Sequence, residues 1–200
     1  MNDFKNIVEK WFKDNGDYTH RLNYNLNKDS VVFDLGGYEG WFSDQINNKF
    51  GSRIFCFEPI KHYATVIQEK FINFKNISVL PIAISTKNGK DIISVDGDTS
   101  SMHIKTGKLI EIDCNTLDKI MQDYNINYID LIKINIEGEE YSLLKYMLKN
   151  NLIIKCNNIQ VQFHKVENYE SEYKYIKTEL EKTHHLTYNY PFVFENWEKN

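Results

Sequence analysis

The sequence has few cysteines and no long apolar run, and both shortages limit the kind of protein that it can encode. Its three cysteines, Cys56, Cys114 and Cys156, form no CxxC pair and no Cys/His pair at zinc spacing. This pattern argues against a disulfide scaffold or zinc site and favours the reduced interior of the cytoplasm. No apolar run approaches the ~20 residues of a membrane span, and residues 1–9 contain acidic residues and no apolar signal core. We therefore predict a cytoplasmic protein without a membrane span.

Basic residues are outnumbered by acidic ones, which bears on the partners of the protein. The chain has 24 Lys and Arg residues against 28 Asp and Glu residues, a net charge of −4. Nucleic-acid-binding domains usually carry a basic surface, so we expect no nucleic-acid partner. Hydrophobic residues at 42% and charged residues at 26% are near the globular average and argue against wholesale disorder.

Apolar runs of strand length alternate with helical patterns along most of the chain. Residues 4–12 show the helical spacing of apolar side chains, and residues 31–35 are typical of a strand buried on both faces. Such alternation predicts βαβ units on a parallel sheet. Further strands are predicted at residues 53–58, 77–80, 128–136 and 158–163, and further helices at 41–50, 61–74, 116–125, 139–150 and 169–183.

Two regions depart from this alternation. Short extended runs at residues 83–85, 91–95 and 109–112, separated by glycines, predict a small antiparallel excursion or a loop region. Residues 185–190 and 192–195 predict a terminal hairpin around Pro191. The 200 residues fit a single domain, in which residues 1–29 form a helical lead-in and residues 30–200 the α/β core.

A cluster of glycines follows the first predicted strand, in a chain that has only nine glycines. Glycines at this place allow the backbone to approach a ligand at the carboxyl end of a parallel sheet. Their spacing is not GxGxxG, and Asp34 at the strand end would repel a pyrophosphate but attract an amine. The alternative is a tight turn whose glycines serve geometry alone. The candidate residues are Asp34, Gly36, Gly37, Tyr38, Glu39 and Gly40.

An acidic residue, Glu58, ends the second predicted strand and is followed by Pro59. A carboxylate about twenty residues after a glycine turn can accept hydrogen bonds from two ribose hydroxyls. A glutamate at a strand end is common by itself, whereas its combination with the glycine turn is much more specific. The pair indicates a cofactor that carries a ribose.

Polar side chains interrupt the fourth strand of the predicted sheet. Alternation places Lys133, Asn135 and Glu137 on one side of this strand, where polar groups are costly unless they are paired. The dipole of a following helix would explain Glu139 and Glu140. It explains Lys133 and Asn135 poorly, so these two side chains are candidates for function.

His164 closes the fifth predicted strand and would point into the same crevice. A histidine at this place can act as a base or as a ligand. The alternative is a partly buried histidine whose hydrogen bonds are satisfied within the core.

These segments together resemble the FkbM family of S-adenosylmethionine-dependent methyltransferases. The resemblance implies a class I methyltransferase, or Rossmann-like, fold: a mostly parallel seven-stranded sheet with helices on both faces and an antiparallel last strand. It also implies an O-methyltransferase that acts on a sugar hydroxyl in surface polysaccharide or other glycan biosynthesis. The segments that carry it are VVFDLGGYEGWFS (31–43), IFCFEPI (54–60), TLDKI (116–120), YIDLIKINIEGEEYSLLK (128–145) and IQVQFH (159–164).

The resemblance further implies which residues hold the cofactor. Asp34 and the turn at 36–40 would face its methionine part, Glu58 its ribose, and Ala83 its adenine, and Pro59 is a further cofactor-binding candidate. Ser101 resembles part of a serine segment of the family. For the removal of the acceptor proton, His164 is the first candidate base and Glu137 the second, with Asn135 and Lys133 orienting the reactants.

One departure from the family pattern concerns Asn135. The family's usual KxDxEGxE motif has an aspartate where this chain has Asn135. An amide cannot take a proton, and it is a weaker ligand for a hard cation than a carboxylate. The change weakens a metal-dependent or aspartate-base mechanism, so we assign no metal ligands and leave open whether a divalent metal takes part.

Three alternatives remain at this stage. A nicotinamide-dependent oxidoreductase is opposed by the glycine spacing and by Asp34. A non-catalytic relative that kept the cofactor fold as a binding module is suggested by Asn135. A nucleic-acid methyltransferase is opposed by the net charge and by the lack of an NPPY or DPPY tetrapeptide. The oligomeric state is open, and a terminal edge strand with exposed aromatic residues is compatible with a homodimer.

Overall fold

A computed structural model describes the backbone of residues 2–96, 99–101 and 108–200 and the side chains of residues 3–94 and 108–200. The helices are α1 (Asn2–Lys13), α2 (Trp41–Phe50), α3 (Lys61–Lys70), α4 (Leu117–Asp123), α5 (Glu140–Lys149) and α6 (Tyr169–Leu180). The strands are β1 (Val31–Leu35), β2 (Arg53–Phe57), β3 (Ile77–Leu80), β4 (Ala83–Ser85), β5 (Gly89–Asp96), β6 (Thr99–Ser101), β7 (Lys108–Thr116), β8 (Ile129–Ile134), β9 (Cys156–Val161), β10 (His184–Tyr190) and β11 (Phe194–Lys199). Among the helices described, none is long and apolar enough to cross a membrane.

Seven of the described strands form one sheet in the order β10-β11-β9-β8-β1-β2-β3. Strand β1 pairs in parallel with β2 and β8, and the pairs β2–β3 and β8–β9 are also parallel. Strand β11 runs antiparallel to both β9 and β10. The predicted α/β fold, with a mostly parallel seven-stranded sheet and an antiparallel last strand, is therefore confirmed.

The alternating side chains of β1 explain why helices cover both faces of this sheet. Phe33 and Leu35 belong to the larger core, which α4, α5 and α6 complete. Val32 belongs to a second core with Ile46 of α2 and Ile67 of α3. All five side chains are at most 1% exposed, and full burial of a side chain of this kind contributes roughly 1.5–3 kcal/mol.

The region predicted as an antiparallel excursion forms a second sheet. Its described strands have the order β4-β7-β5-β6, in which β5 is antiparallel to β6 and β7 while β4 pairs with β7 in parallel. Strand β7 runs to Thr116, so the helix predicted from Thr116 begins one residue later, at Leu117. Ile93 and Ile112 are each 4% exposed, so this sheet turns an apolar face towards the rest of the molecule.

The strands before the predicted catalytic residues end earlier than expected, β8 at Ile134 and β9 at Val161. Asn135 still donates its backbone N–H to the carbonyl of Leu35 at 3.2 Å. The chain then turns, with φ of 54° at Glu137 and 108° at the following glycine. Asn135, Glu137 and His164 consequently lie in loops beyond the sheet edge and not within strands.

The predicted terminal hairpin is confirmed as β10 and β11. Tyr190 pairs with Phe194 across it, and Phe192 lies in the connecting turn with a φ of 63°. Strand β11 therefore begins two residues later than predicted. Trp197 in β11 is fully buried and joins the larger core.

Candidate active site

A cavity of about 290 Å³ opens at the carboxyl edge of β1, β2 and β8. This is the edge at which open α/β sheets bind ligands. Gly36, Glu58 and Asn135, each the first residue after one of these strands, contribute to its wall. The opposite wall is apolar and contains Ile60, Ile84, Ile93 and Ile112. We call this space the first cavity.

Gly36 brings the backbone of the glycine turn against the loop that follows β8. Its φ is 81°, and a Cβ atom at this position would lie 2.0 Å from the carbonyl oxygen of Asn135. The N–H groups of Gly36 and Gly37 both donate to the carbonyl of Phe57 at 3.0 Å. The turn is thereby fixed to the end of β2, and Gly36 is required for a close backbone approach.

We expect Gly36→Ala to lower the free energy of unfolding more than its matched control, Gly51→Ala. Gly51 also has a positive φ, 66°, but a Cβ atom there meets no described atom within 4 Å. Both variants incur the left-handed backbone cost of about 1–2 kcal/mol. Only Gly36→Ala adds a backbone clash, on the order of 1–3 kcal/mol more. Urea unfolding followed by circular dichroism measures both losses, and equal losses would contradict the close approach.

Two non-glycine residues of the cavity wall have left-handed backbone conformations. The φ angles are 50° at Tyr38 and 54° at Glu137. Such conformations cost on the order of 1–3 kcal/mol and cluster at functional sites. The ring of Tyr38 contacts that of Tyr63, with centroids 4.8 Å apart, and Tyr63 also lines the cavity. Sequence reasoning did not identify Tyr63 as a site residue, and its position shortly after Glu58 was the one signal that could have indicated it.

Both carboxylate oxygens of Glu58 are held by backbone N–H groups. Oε2 accepts from the N–H of Tyr38 and Oε1 from that of Ile60, each at 2.9 Å. The residue is only 5% exposed. Burial raises the pKa of this carboxyl, and the two N–H groups oppose the rise. Each oxygen keeps a further lone pair, so the carboxylate can accept two hydroxyl groups from the cavity.

Asp34 lies beneath the first cavity and does not line it. Its fully buried carboxylate accepts hydrogen bonds from Oγ of Ser43 at 2.7 Å and from Nζ of Lys133 at 3.0 Å. Lys133 also donates to the carbonyls of Leu35 and Gly36, at 3.2 and 2.7 Å. This placement differs from the expected one beside the methionine part of the cofactor. Asp34 acts on the site through Lys133, which holds the glycine turn from below.

The side chain of Asn135 lies between two cavities. It lines the first cavity and also a second one of about 390 Å³ on the other side of the glycine turn. Its Oδ1 atom is buried and has no hydrogen-bond partner among the described residues. Leaving a buried acceptor unsatisfied is costly. This atom is therefore a place where a bound molecule can donate a hydrogen bond.

A histidine and two glutamates form a contiguous cluster in the loops after β8 and β9. Nδ1 of His164 lies 3.0 Å from Oε1 of Glu140, and its Nε2 lies 3.5 Å from Oε2 of Glu137. Glu140 is fully buried and also accepts the N–H groups of Ile136 and Gly138. Glu137 lines the first cavity, whereas His164 lies behind it. Among the described residues, no group of three or more His, Cys, Asp or Glu side chains is arranged to hold a metal ion.

The pKa values of His164 and Glu137 are both raised. Burial lowers the pKa of His164, but the hydrogen bond to Glu140 and the charges of Glu140 and Glu137 outweigh it, and the net pKa is raised. Burial raises the pKa of Glu137. A base that works near neutral pH needs a pKa near that pH. A raised pKa makes each of these groups a stronger base than the free side chain, so Glu137 at the cavity wall, with His164 behind it, is the candidate acceptor for a proton from the cavity.

The other predicted site residues divide between the cavity walls and their support. Pro59 and Ala83 line the first cavity, and Gly37 and Glu39 line the second. Gly40 lines neither: it precedes α2 with a φ of 75°, where a Cβ atom would meet Phe71 at 3.0 Å. This conformation and close packing favour glycine here for geometric reasons, and a contact of Gly40 with the cofactor stays a prediction. The side chain of Ser101 lies outside the described residues.

Sequence reasoning also missed the apolar wall that the second sheet supplies. Ile93 of β5 and Ile112 of β7 line the first cavity. The sequence signal that could have revealed this wall was the alternation of strand side chains between two faces. In the structure, Ile92 is 54% exposed whereas the neighbouring Ile93 is 4% exposed. Without the sheet pairing, nothing indicated that this buried face would meet the carboxyl edge of the main sheet.

Comparison with known proteins identifies both the family and the fold. The FkbM methyltransferase domain matches residues 34–190, and no curated protein sequence matches the chain. The fold is similar to that of a proposed methyltransferase from Streptococcus mutans in complex with S-adenosyl-homocysteine (SAH), with 10% identity, 94% of this chain and 97% of that chain covered, and a TM-score of 0.57. It is also similar to a proposed rRNA methylase from Clostridium thermocellum, with 12% identity, 94% of each chain covered and a TM-score of 0.54. It is similar, too, to an rRNA methylase from Streptococcus thermophilus, with 8% identity, 87% of this chain and 89% of that chain covered, and a TM-score of 0.53.

Proposed function

Because the chain belongs to the FkbM methyltransferase domain family, its methyl donor is S-adenosylmethionine, and we propose that its acceptor is the hydroxyl group of a sugar. The observation that carries the cofactor site is Glu58, a buried carboxylate held by two backbone N–H groups at the cavity wall. The family resemblance supports the sugar acceptor. We place the reaction in surface polysaccharide or other glycan biosynthesis in the cytoplasm.

Three features of the first cavity fit the cofactor. Glu58 offers two carboxylate oxygens to the ribose hydroxyls. The isoleucine wall formed by Ile84, Ile93 and Ile112 offers an apolar surface to the adenine. The unpartnered Oδ1 of Asn135 offers an acceptor to the ammonium group of the methionine part.

The chemistry needs little from the protein beyond alignment and removal of a proton. Bound S-adenosylmethionine supplies a methyl group on a sulfonium, which is already activated, so positioning accounts for much of the catalysis. Glu137 lines the cavity, and Nε2 of His164 lies 3.5 Å behind its carboxylate. We assign the acceptor proton to this pair, with Lys133 fixing the glycine turn and Asn135 orienting a donor group.

An RNA acceptor is the main competitor, since two of the similar structures are described as rRNA methylases. Because their sequences are only 8% and 12% identical to this chain, the similarity concerns the fold and does not extend to the acceptor. The net charge of −4 opposes a nucleic-acid surface. We therefore prefer the sugar acceptor and include RNA among the compounds to be tested.

We expect Glu58→Ala to weaken SAH binding roughly 10- to 100-fold, because hydrogen bonds to a charged group contribute about 1.5–3 kcal/mol. Calorimetric titration of the purified protein with SAH measures this loss. Glu69→Ala is the matched control, since it removes an exposed carboxylate from α3. Circular dichroism of both variants separates loss of the ribose contact from loss of the fold.

Each outcome of this titration has a definite meaning. If the folded wild-type protein binds no SAH, the methyltransferase function is wrong. If Glu58→Ala binds SAH as tightly as Glu69→Ala does, Glu58 does not hold the ribose. Competition by NAD would support the oxidoreductase alternative. SAH binding without methylation of any glycan or RNA in a broad panel would support a non-catalytic binding protein.

A further inference from the structure

The second cavity adjoins the first along the glycine turn. The two cavities share Gly36, Tyr38 and Asn135 in their walls. Transfer of a group between two bound molecules requires the reacting atoms to be in contact. If the adenosine part of the cofactor occupies the first cavity, as the proposed function requires, its methionine part lies along this shared wall, beside Gly37 and Glu39 of the second cavity. A molecule in the second cavity then meets the cofactor at the wall, and its reacting hydroxyl extends past the wall to Glu137, which lines the first cavity and not the second.

An aromatic pair lies on the outer side of the second cavity. Tyr18 and Trp41 both line it, and their rings meet edge to face with centroids 5.6 Å apart. Tyr18 is 55% exposed, so its ring is accessible from the solvent. Aromatic side chains of this kind combine an apolar face with a polar tip. They suit a sugar ring, which has C–H faces and a hydroxyl rim.

The charges around the second cavity do not favour an anionic ligand. Of its two cations, Arg21 is paired with Asp17 at 2.9 Å and Lys133 with Asp34 at 3.0 Å. Glu39 adds a further carboxylate to the lining. A phosphate or uronate would meet cations that are already engaged, together with a like charge. Uncharged hydroxyl groups can instead donate to the carboxylates.

The outer wall of this cavity comes from the segment that precedes the main sheet. Asp17, Tyr18 and Arg21 lie outside residues 34–190, which match the family domain. Arg21 holds the segment in place because its Nε donates to Oε1 of Gln160 in β9 at 3.1 Å and its guanidinium lies 4.2 Å from the ring centroid of Phe194. The segment is thus a built wall of the cavity, and the family domain does not supply it.

We propose that the second cavity is the acceptor site and that the segment at residues 17–21, with Trp41, selects an uncharged sugar ring over acidic sugars and RNA. This inference rests on the proposed function and narrows its substrate class. Tyr18 is a specificity residue in this account, and its exposure makes it suitable for substitution without loss of the fold.

The test is saturation-transfer NMR on the protein saturated with SAH. The compounds are the methyl glycosides of glucose, galactose and mannose, methyl glucuronide, and a short oligouridine. We expect an uncharged glycoside to bind, and Tyr18→Ala to weaken it roughly 2- to 10-fold, the range typical of an aromatic contact. SAH affinity should not change. Tyr175→Ala, which removes a tyrosine that is 51% exposed on α6, is the matched control and should leave glycoside binding intact.

Three results would overturn the inference while leaving the proposed function standing. The first is SAH binding with no binding of any uncharged glycoside. The second is binding of methyl glucuronide that Tyr18→Ala removes; binding of oligouridine that Tyr18→Ala removes would overturn the sugar acceptor of the proposed function as well. The third is glycoside binding that Tyr18→Ala and Tyr175→Ala affect equally. Failure of the wild-type protein to bind SAH would instead overturn the proposed function, and this inference with it.

Discussion

Lys133→Met is expected to lower the free energy of unfolding by about 3–5 kcal/mol, the loss typical of removing one partner of a buried ion pair. The side chains of Lys133 and Asp34 are 4% and 0% exposed. Asp34 would keep the hydroxyl of Ser43 but would become a buried charge without a counter-ion. The carbonyls of Leu35 and Gly36 would lose the same donor. Urea unfolding followed by circular dichroism measures the loss.

A surface pair of the same chemistry provides the control for Lys133→Met. Lys119 lies 2.8 Å from Asp123, and both side chains are 43% exposed. Lys119→Met should cost at most about 0.5 kcal/mol, because exposed helical ion pairs contribute little. The double variant Asp34→Asn/Lys133→Met should lose less free energy of unfolding than Lys133→Met alone, since the residue at position 34 is then neutral and needs no counter-ion. Equal losses for Lys133→Met and Lys119→Met would contradict the role of Lys133 as the counter-ion of Asp34.

The positions of several strands could be predicted from the sequence because buried parallel strands appear as continuous apolar runs. The runs at 31–35 and 77–80 coincide with β1 (Val31–Leu35) and β3 (Ile77–Leu80). The meeting of Gly36, Glu58 and Asn135 at one cavity follows from the same reasoning. Parallel strands end at one edge of a sheet, so the first residues after them are neighbours.

Contacts that depend on strand order could not be predicted. Asp34 and Lys133 are opposite each other because β1 pairs with β8. These two strands are separated by 93 residues in the chain. Strand β2 follows β1 in sequence and pairs with its other side. The charges of this pair were visible in the sequence, but their register was not. An aspartate expected to face a cofactor is therefore found below the cavity.

The wall that residues 17–21 contribute to the second cavity illustrates a second limit of prediction from the sequence. Residues 17–21 show neither helical nor strand periodicity. Local turns hold them, since the N–H groups of Tyr18 and Thr19 both donate to the carbonyl of Asn15 at 3.0 Å, and a long-range hydrogen bond joins Arg21 to Gln160. A sequence pattern carries no trace of that long-range pair. Likewise, the early end of β8 depends on the left-handed turn at Glu137, a conformation that propensities do not favour for glutamate.

His164→Ala is expected to reduce turnover roughly 10²- to 10⁴-fold, the range typical of losing a positioned acid–base group. SAH affinity should not change, because His164 does not line the first cavity. Turnover is measured with labelled S-adenosylmethionine and a glycan from the panel that accepts the methyl group. His185→Ala is the matched control, since His185 is exposed on β10 and its Nδ1 contacts only Asn200 among the described residues.

The pH dependence of turnover separates the two candidate bases. His164 accepts a proton only when it is neutral, and its pKa is raised above 6.5, so turnover should rise with pH through that raised value. Glu137→Gln removes a carboxylate that raises this pKa, so an NMR titration of His164 should move to lower pH in that variant. If His164→Ala keeps full turnover, the proton goes to Glu137 alone. The rising limb should then follow the pKa of Glu137, which burial raises above 4.5, and Glu137→Gln should abolish it.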